Sequence, residues 1–259
     1  MALSNGFVLA SSGILVGVLA GLLGIGGGTL MVPLLVALGC SPIESVATSS
    51  FAILITASSG SLQNWRMGYL SLHRVLPLAI PALLTAQLGA YLANRAIDYV
   101  LLAAFGGLLL VNVYLISLRK QLTATDSVGS ASRQALFTRL GTGGLAGLLA
   151  GLFGVGGGVV MVPLQVLLLG ETIKVAIQTS LGVIVITALS AVVGHAWRGH
   201  VLLWDGFLLG LGGLLGSQLG TRFLPKLPDR IISVAFRSLL LLLALYVFIQ
   251  AWQRYGVGG

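Results

Sequence analysis

Residues 20–36 read AGLLGIGGGTLMVPLLV, and residues 150–166 read AGLFGVGGGVVMVPLQV. The two strings are identical at 12 of 17 positions, at an offset of 130. The match continues in register. Thr48-Ser49-Ser50 falls on Gln178-Thr179-Ser180. With one added residue, Gly68 falls on Gly199, Gln87-Leu88-Gly89 on Gln218-Leu219-Gly220, and Asp98 on Asp229. The chain is therefore two copies of one unit. Each copy breaks an apolar segment with consecutive glycines at the same place. Internal repeats of this kind are characteristic of transporter folds.

The medium in which the unit folds follows from its polarity. The sequence is 57% hydrophobic and 8% charged, against roughly 25% charged in soluble domains. Its mean hydropathy is +1.04. Such a chain is a polytopic membrane protein with the bilayer as its main partner. The net charge of +8 does not indicate nucleic acid, because the basic residues stand singly in short segments between apolar runs. Cys40 is the one cysteine, so neither a disulfide nor a thiolate metal cluster is expected. The start, MALSNGFVLASSG, lacks a basic region, so a cleaved signal peptide is not expected.

Apolar runs fall near 7–24, 29–39, 43–61, 75–93, 99–117, 137–153, 159–169, 173–193, 202–221 and 231–252. Most reach the roughly 20 residues that one crossing needs. The runs 29–39 and 159–169 do not; eleven helical residues span only about 16 Å. The segment 119–139, RKQLTATDSVGSASRQALFTR, is the most polar and reads as a linker.

Charge decides between parallel and inverted copies. If 7–39 and 137–169 are each one broken crossing, the basic residues divide 8 to 6 across the membrane. If the chain reverses at each glycine break, each copy has five segments and the second sits upside down. Then 11 basic residues share the linker's side, and only Arg95, Arg198 and Arg254 lie opposite. The positive-inside rule favours inverted copies with a cytoplasmic linker and both termini outside. The expected fold is all-α and polytopic, with two homologous halves as inverted repeats. Each half holds a Gly-broken short helix pair plus about three spanning helices, eight to ten segments in all. Residues 1–118 form the first repeat, 119–138 the linker and 139–259 the second repeat.

Irregular backbone at membrane depth must be buried in protein or line a cavity. Glycine permits positive φ and lets a ligand or another chain approach the backbone. A half-helix starting after Gly26-Gly27-Gly28, at Thr29, or after Gly156-Gly157-Gly158, at Val159, offers free N–H groups at its positive end. That arrangement binds anions without a charged side chain. Close packing is the competing role for the breaks. It is the expected role for the rows Gly13/Gly17/Gly21, Gly143/Gly147/Gly151 and Gly212/Gly216/Gly220. Pro33 and Pro163 kink or end the short helices.

The triplets Thr48-Ser49-Ser50 and Gln178-Thr179-Ser180 supply hydroxyl and amide groups some 20 residues after each break. They either bind substrate or bond back to their own helix and its neighbours. Gln87 and Gln218, with Asn64 and His195, are candidates for the path or for coupling, and His195 could relay protons. Glu44 and Glu171 lie near helix starts, where acids suit the dipole.

At these residues the chain resembles the sulfite exporter TauE/SafE family. GLLGIGGGTLMVPLL followed by ATSSF carries the resemblance in the first half, and GLFGVGGGVVMVPL followed by QTS carries it in the second. The NWRMGYL and WRGHV loops also fit. The resemblance implies an inner-membrane permease of duplicated architecture, associated with sulfite and organosulfonate metabolism. QTS in place of TSS departs from strict symmetry.

The expected function is secondary transport of a small anion by alternating access around a midplane site. Sulfite, an organosulfonate or a related sulfur-containing anion lead the candidates. The alternatives are an anion channel and a transporter of an unrelated small solute. The string GxxxxGK[ST] does not occur, so a gradient or a separate subunit must supply energy, and protons are a candidate coupling ion. Three His and six acidic residues do not assemble an intramembrane catalytic site, so no enzyme activity and no cofactor or metal are expected.

Overall fold

The computed structural model describes residues 2–122 and 132–257, all in helices and short connections. Each half begins with a helix that stops at the glycines. In the first half α1 (Ala2–Leu23) is followed by α2 (Gly28–Ala37), α3 (Pro42–Arg66), α4 (Leu72–Ala93) and α5 (Asp98–Leu122). In the second, α6 (Ser132–Phe153) precedes α7 (Gly158–Leu168), α8 (Ile173–Ala196), α9 (Leu203–Phe223) and α10 (Asp229–Val257). A short 3₁₀ turn (Leu224–Lys226) joins the last two. Helix thus extends into both ends of the polar segment expected as linker; residues 123–131 lie outside the described part.

Among the described residues, seven helices are long and apolar enough to cross a membrane: α1, α3, α4, α5, α6, α8 and α10. α2 and α7, at 10 and 11 residues, are too short to cross. α9 is long enough in residues, but glycine and polar positions dilute its apolar content.

Local chemistry explains the helix starts. Ser41 and Glu44 form a reciprocal cap on α3: the Glu44 N–H donates to Ser41 Oγ at 3.3 Å, and the Ser41 N–H donates to Glu44 Oε2 at 2.9 Å. Pro42 opens the first turn. Thr172 caps α8, accepting from the Val175 N–H at 3.4 Å. α2 and α7 have no side-chain cap; they begin at Gly27 and Gly157, both left-handed, with φ of 86° and 81°.

The halves interlock. α1 lies along α9, and α6 along α4. Glycine permits the closeness: a Cβ at Gly17 would stand 2.4 Å from the Gly213 carbonyl oxygen, and one at Gly147 2.3 Å from that of Ala82. Gly13, Gly17 and Gly21 meet Leu209, Gly213 and Ser217 in turn, while Gly143, Gly147 and Gly151 meet Leu78, Ala82 and Ala86. Both pairs are therefore parallel, and the second is the first shifted by the repeat offset. Apolar burial does not drive helices together in lipid, so this backbone contact is the main source of association.

α3 and α8 cross the centre in opposite directions. The α6 end is met by Val46, early in α3, at Gly154, and by His195, late in α8, at Gly151. The α1 end is met by Ile177, early in α8, at Gly24; Gly60, late in α3, shares the Ser217 and Thr221 neighbours of Gly21. The chain reverses at each break, and the contacts fit two inverted copies. Following the helix directions, the 38–41, 94–97 and 197–202 connections lie at one end. The 67–71, 169–172 and 224–228 connections lie at the other, with the inner ends of α5 and α6. We call these the terminal face and the linker face.

Candidate functional site

The two glycine breaks cross antiparallel at the middle of the molecule. A Cβ at Gly28 would lie 2.4 Å from the Gly154 carbonyl oxygen, and one at Gly158 would lie 2.1 Å from that of Gly24. Gly26 and Gly156 sit at the crossing, and each touches both Ile53 and Ile184. Those isoleucines lie midway along α3 and α8, and both are fully buried. Six glycines in the breaks have positive φ, from 63° at Gly154 to 86° at Gly27. Side chains are excluded there both by conformation and by contact.

The contacts assign the glycines the packing role, one of the two that the sequence left open. Gly28 and Gly158 are required for packing. Gly27 and Gly157 start half-helices whose first N–H groups have no helical acceptor. Leu30 and Met31 already donate to the Gly27 carbonyl, as Val160 and Met161 do to that of Gly157. The positive ends of α2 and α7 therefore meet across a buried, uncharged centre.

Thr29 is the second residue of α2. It is fully buried, and its Oγ1 has no hydrogen-bond partner. A helical Cα–Cβ bond tilts toward the N-terminus, so the side chain leans toward the break. The counterpart in α7 is Val159, so the two half-helix ends differ in chemistry.

The serines of the triplets brace the breaks across the halves. Ser49 Oγ donates to the Gly154 carbonyl at 2.8 Å, and Ser180 Oγ donates to that of Gly24 at 2.9 Å. Each lies also within bonding distance of its own helix, at Val46 O and Ile177 O. Ser50 Oγ bonds back to Val46 at 2.8 Å. Thr48 Oγ1 accepts from the Leu202 N–H at 3.0 Å, fixing the start of α9. Gln178 and Thr179 are buried on α8 beside Ser180. Sequence reasoning passed over Thr187, which donates to the Gly156 carbonyl at 3.0 Å. Its counterpart at the same offset, Thr56, bonds instead to Ala52 at 2.9 Å.

The path candidates separate. Gln87 reaches across to α8, where its Nε2 donates to Ser190 Oγ at 3.1 Å. Ser190 Oγ in turn donates to the Leu83 carbonyl at 2.7 Å, and Ser59 makes the matching bond to Leu214 at 2.9 Å. Gln87 therefore ties α4 to α8. Gln218 is half-buried on α9. Asn64 and His195, at corresponding positions, are fully buried. Both amide atoms of Asn64 lack partners, as does His195 Nδ1, while His195 Nε2 lies 3.1 Å from the Gly151 carbonyl.

The two acids also separate. Glu44 caps α3 as expected. Glu171 caps nothing: it precedes the capping Thr172 and lies instead 3.8 Å from Arg139. Among the described residues no group of three His, Cys, Asp or Glu could hold a metal ion.

Comparison with known proteins agrees with this architecture. A family profile described as "Sulfite exporter TauE/SafE" matches residues 9–247. The chain is 27% identical over 262 residues to "Probable membrane transporter protein YunE" of Bacillus subtilis, covering 91% of this chain and 94% of that one. It is 24% identical over 253 residues to "Probable membrane transporter protein MJ0441" of Methanocaldococcus jannaschii, covering 92% and 93%. A shorter stretch of 64 residues is 42% identical to "Sulfite exporter TauE/SafE family protein 1" of Arabidopsis thaliana, covering 25% of this chain and 14% of that protein. No solved structure matches. With a profile match over nearly its whole length, the chain belongs to the sulfite exporter TauE/SafE family and is a membrane transporter, not an enzyme.

Proposed function

We propose that the protein is a secondary transporter of a small anion that binds where the two glycine breaks cross. The observation that carries this reading is the pair of uncapped half-helix N-termini in a buried centre without acidic side chains, beside the unpartnered hydroxyl of Thr29. Backbone N–H groups and helix dipoles stabilise an oxyanion there. Cation sites add carboxylates, which the crossing lacks. The names of the matched family and of the plant relative make sulfite the first candidate. Organosulfonates and related sulfur-containing anions follow.

Ile53 and Ile184 close the crossing in this structure. Alternating access requires them to part toward one face and then the other, which the interlocked inverted halves permit. The linker face is cytoplasmic, because 11 of the 14 basic residues lie on it. Sulfite flux into proteoliposomes under an imposed pH gradient tests the reading. Saturable, gradient-driven flux supports it. Flux that rises linearly with concentration indicates a channel, and no flux removes sulfite as cargo.

A further inference from the structure

Several repeat-equivalent positions at the two faces carry opposite charge. At the linker face stand Arg74 at the start of α4, Arg139 in α6, and Glu171 between α7 and α8. Their counterparts at the terminal face are Asp205, Leu9 and Ser41. Lys174 likewise replaces Glu44. A cluster of basic residues concentrates anions near it.

Between these basic residues, Glu171 is held loosely. Its Oε1 lies 3.8 Å from Arg139 Nη2, and its Oε2 is buried without a hydrogen-bond partner. The side chain is only 12% exposed. Burial pushes this carboxyl above its ordinary range, while Arg74 and Arg139 pull it back. These two arginines are the charges that face it from α4 and α6. Lys174, on the helix that follows, is turned away: its Nζ donates to the Pro225 carbonyl at 3.1 Å and lies 3.8 Å from Asp229. A carboxylate with one loose ion pair and one unbonded oxygen satisfies its arginines poorly, so another oxyanion can replace it.

We propose that Arg74 and Arg139 form a loading site for the transported oxyanion at the linker face, with the Glu171 carboxylate as its internal stand-in. Proton uptake by Glu171 removes the stand-in's charge, frees Arg139 from its ion pair and leaves the field of Arg74 uncompensated for the incoming anion. The cluster's net charge then rises from +1 to +2, which suits a doubly charged oxyanion. Loading and protonation thus favour each other at this face, where the counterpart of Glu171 at the other is Ser41. The inference rests on the reading that the chain carries a small anion, and it adds where and how that anion is captured.

Sulfite uptake into inside-out membrane vesicles reads KM at the linker face, and right-side-out vesicles read it at the terminal face. Near pH 7, Glu171→Gln lowers KM at the linker face by about fivefold, the scale of one partly exposed ion pair. It also flattens the dependence of that KM on pH. Glu171→Ser, which copies the counterpart Ser41, gives the same shift and guards against a folding defect peculiar to one variant. Arg139→Gln raises KM at the linker face, and none of the three moves it at the terminal face. An anionic lipid headgroup offers the same chemistry as a free oxyanion. The shifts therefore persist in purified protein oriented in purely zwitterionic vesicles if the site takes the free anion, and disappear there if it takes lipid. An unchanged KM in both glutamate variants, equal changes at both faces, or dependence on anionic lipid overturns the loading site while leaving anion transport intact. Absence of saturable flux in the wild type removes the transport reading and the loading site together.

Discussion

Ser49 Oγ donates to the Gly154 carbonyl at 2.8 Å, a bond between residues 105 positions apart that belong to different halves. Ser180 returns the bond to Gly24 at 2.9 Å. Each half thus supports the other's break, and the buried carbonyls depend on a side chain that their own half does not provide. Ser49→Ala and Ser180→Ala should each cost about 1–2 kcal/mol, since a buried carbonyl loses its partner. Ser50→Ala, which removes only a bond within its own helix, should cost less. Thermal unfolding of the detergent-solubilised protein checks the order.

The glycines at the crossing predict a sharper contrast. Gly28→Ala or Gly158→Ala drives a methyl into backbone atoms at 2.4 Å and 2.1 Å. Neither neighbour can step aside, so these variants should fail to accumulate as folded protein. Gly107→Ala, with nothing within 4 Å of the new methyl and no positive φ, should accumulate like wild type. Fluorescence-detected size-exclusion chromatography of tagged variants distinguishes the outcomes.

Much of this arrangement is readable before any coordinates. The repeat offset and the lengths of the apolar runs give eight to ten helical segments, matching the helices of the described residues, and the charge count favours a reversal at the breaks that the contacts fit. Glu44 reads as an acid at a helix start, and the structure adds its reciprocal cap with Ser41. Glu171 misled because it looks equally close to a helix start, yet Thr172 takes the capping place and leaves the acid outside. The partners of Ser49, Ser180 and Gln87 are not readable. They depend on α1 lying along α9 and α6 along α4, a long-range exchange between halves that no local pattern encodes. The glycine breaks allow both packing and ligand approach on sequence alone. The close backbone approach at Gly28 and Gly158 assigns those two to packing.

Glu171 predicts a pH effect on stability. Its carboxyl is raised in the folded protein, so the folded state holds the proton more tightly than the unfolded chain. The associated stability is fully present below the unfolded value, about 4.3. It is lost as pH rises through the raised folded value. Wild type should lose melting temperature over that window relative to Glu171→Gln, and the difference should be flat above it. Melting curves of both proteins across the acid range check the sign.

The anion site itself turns on Thr29. Thr29→Val keeps the shape of the side chain and removes a buried hydroxyl that has no protein partner, so the folded protein should be no less stable. The hydroxyl's partner on this account is the anion. The decisive measurement is sulfite flux into proteoliposomes for wild type and Thr29→Val, with melting temperatures alongside. An anion held by this hydroxyl gives saturable wild-type flux and a KM raised by about tenfold in the variant, the scale of one hydrogen bond to a charged group. An unchanged KM in a well-folded Thr29→Val protein would contradict an anion site at the start of α2.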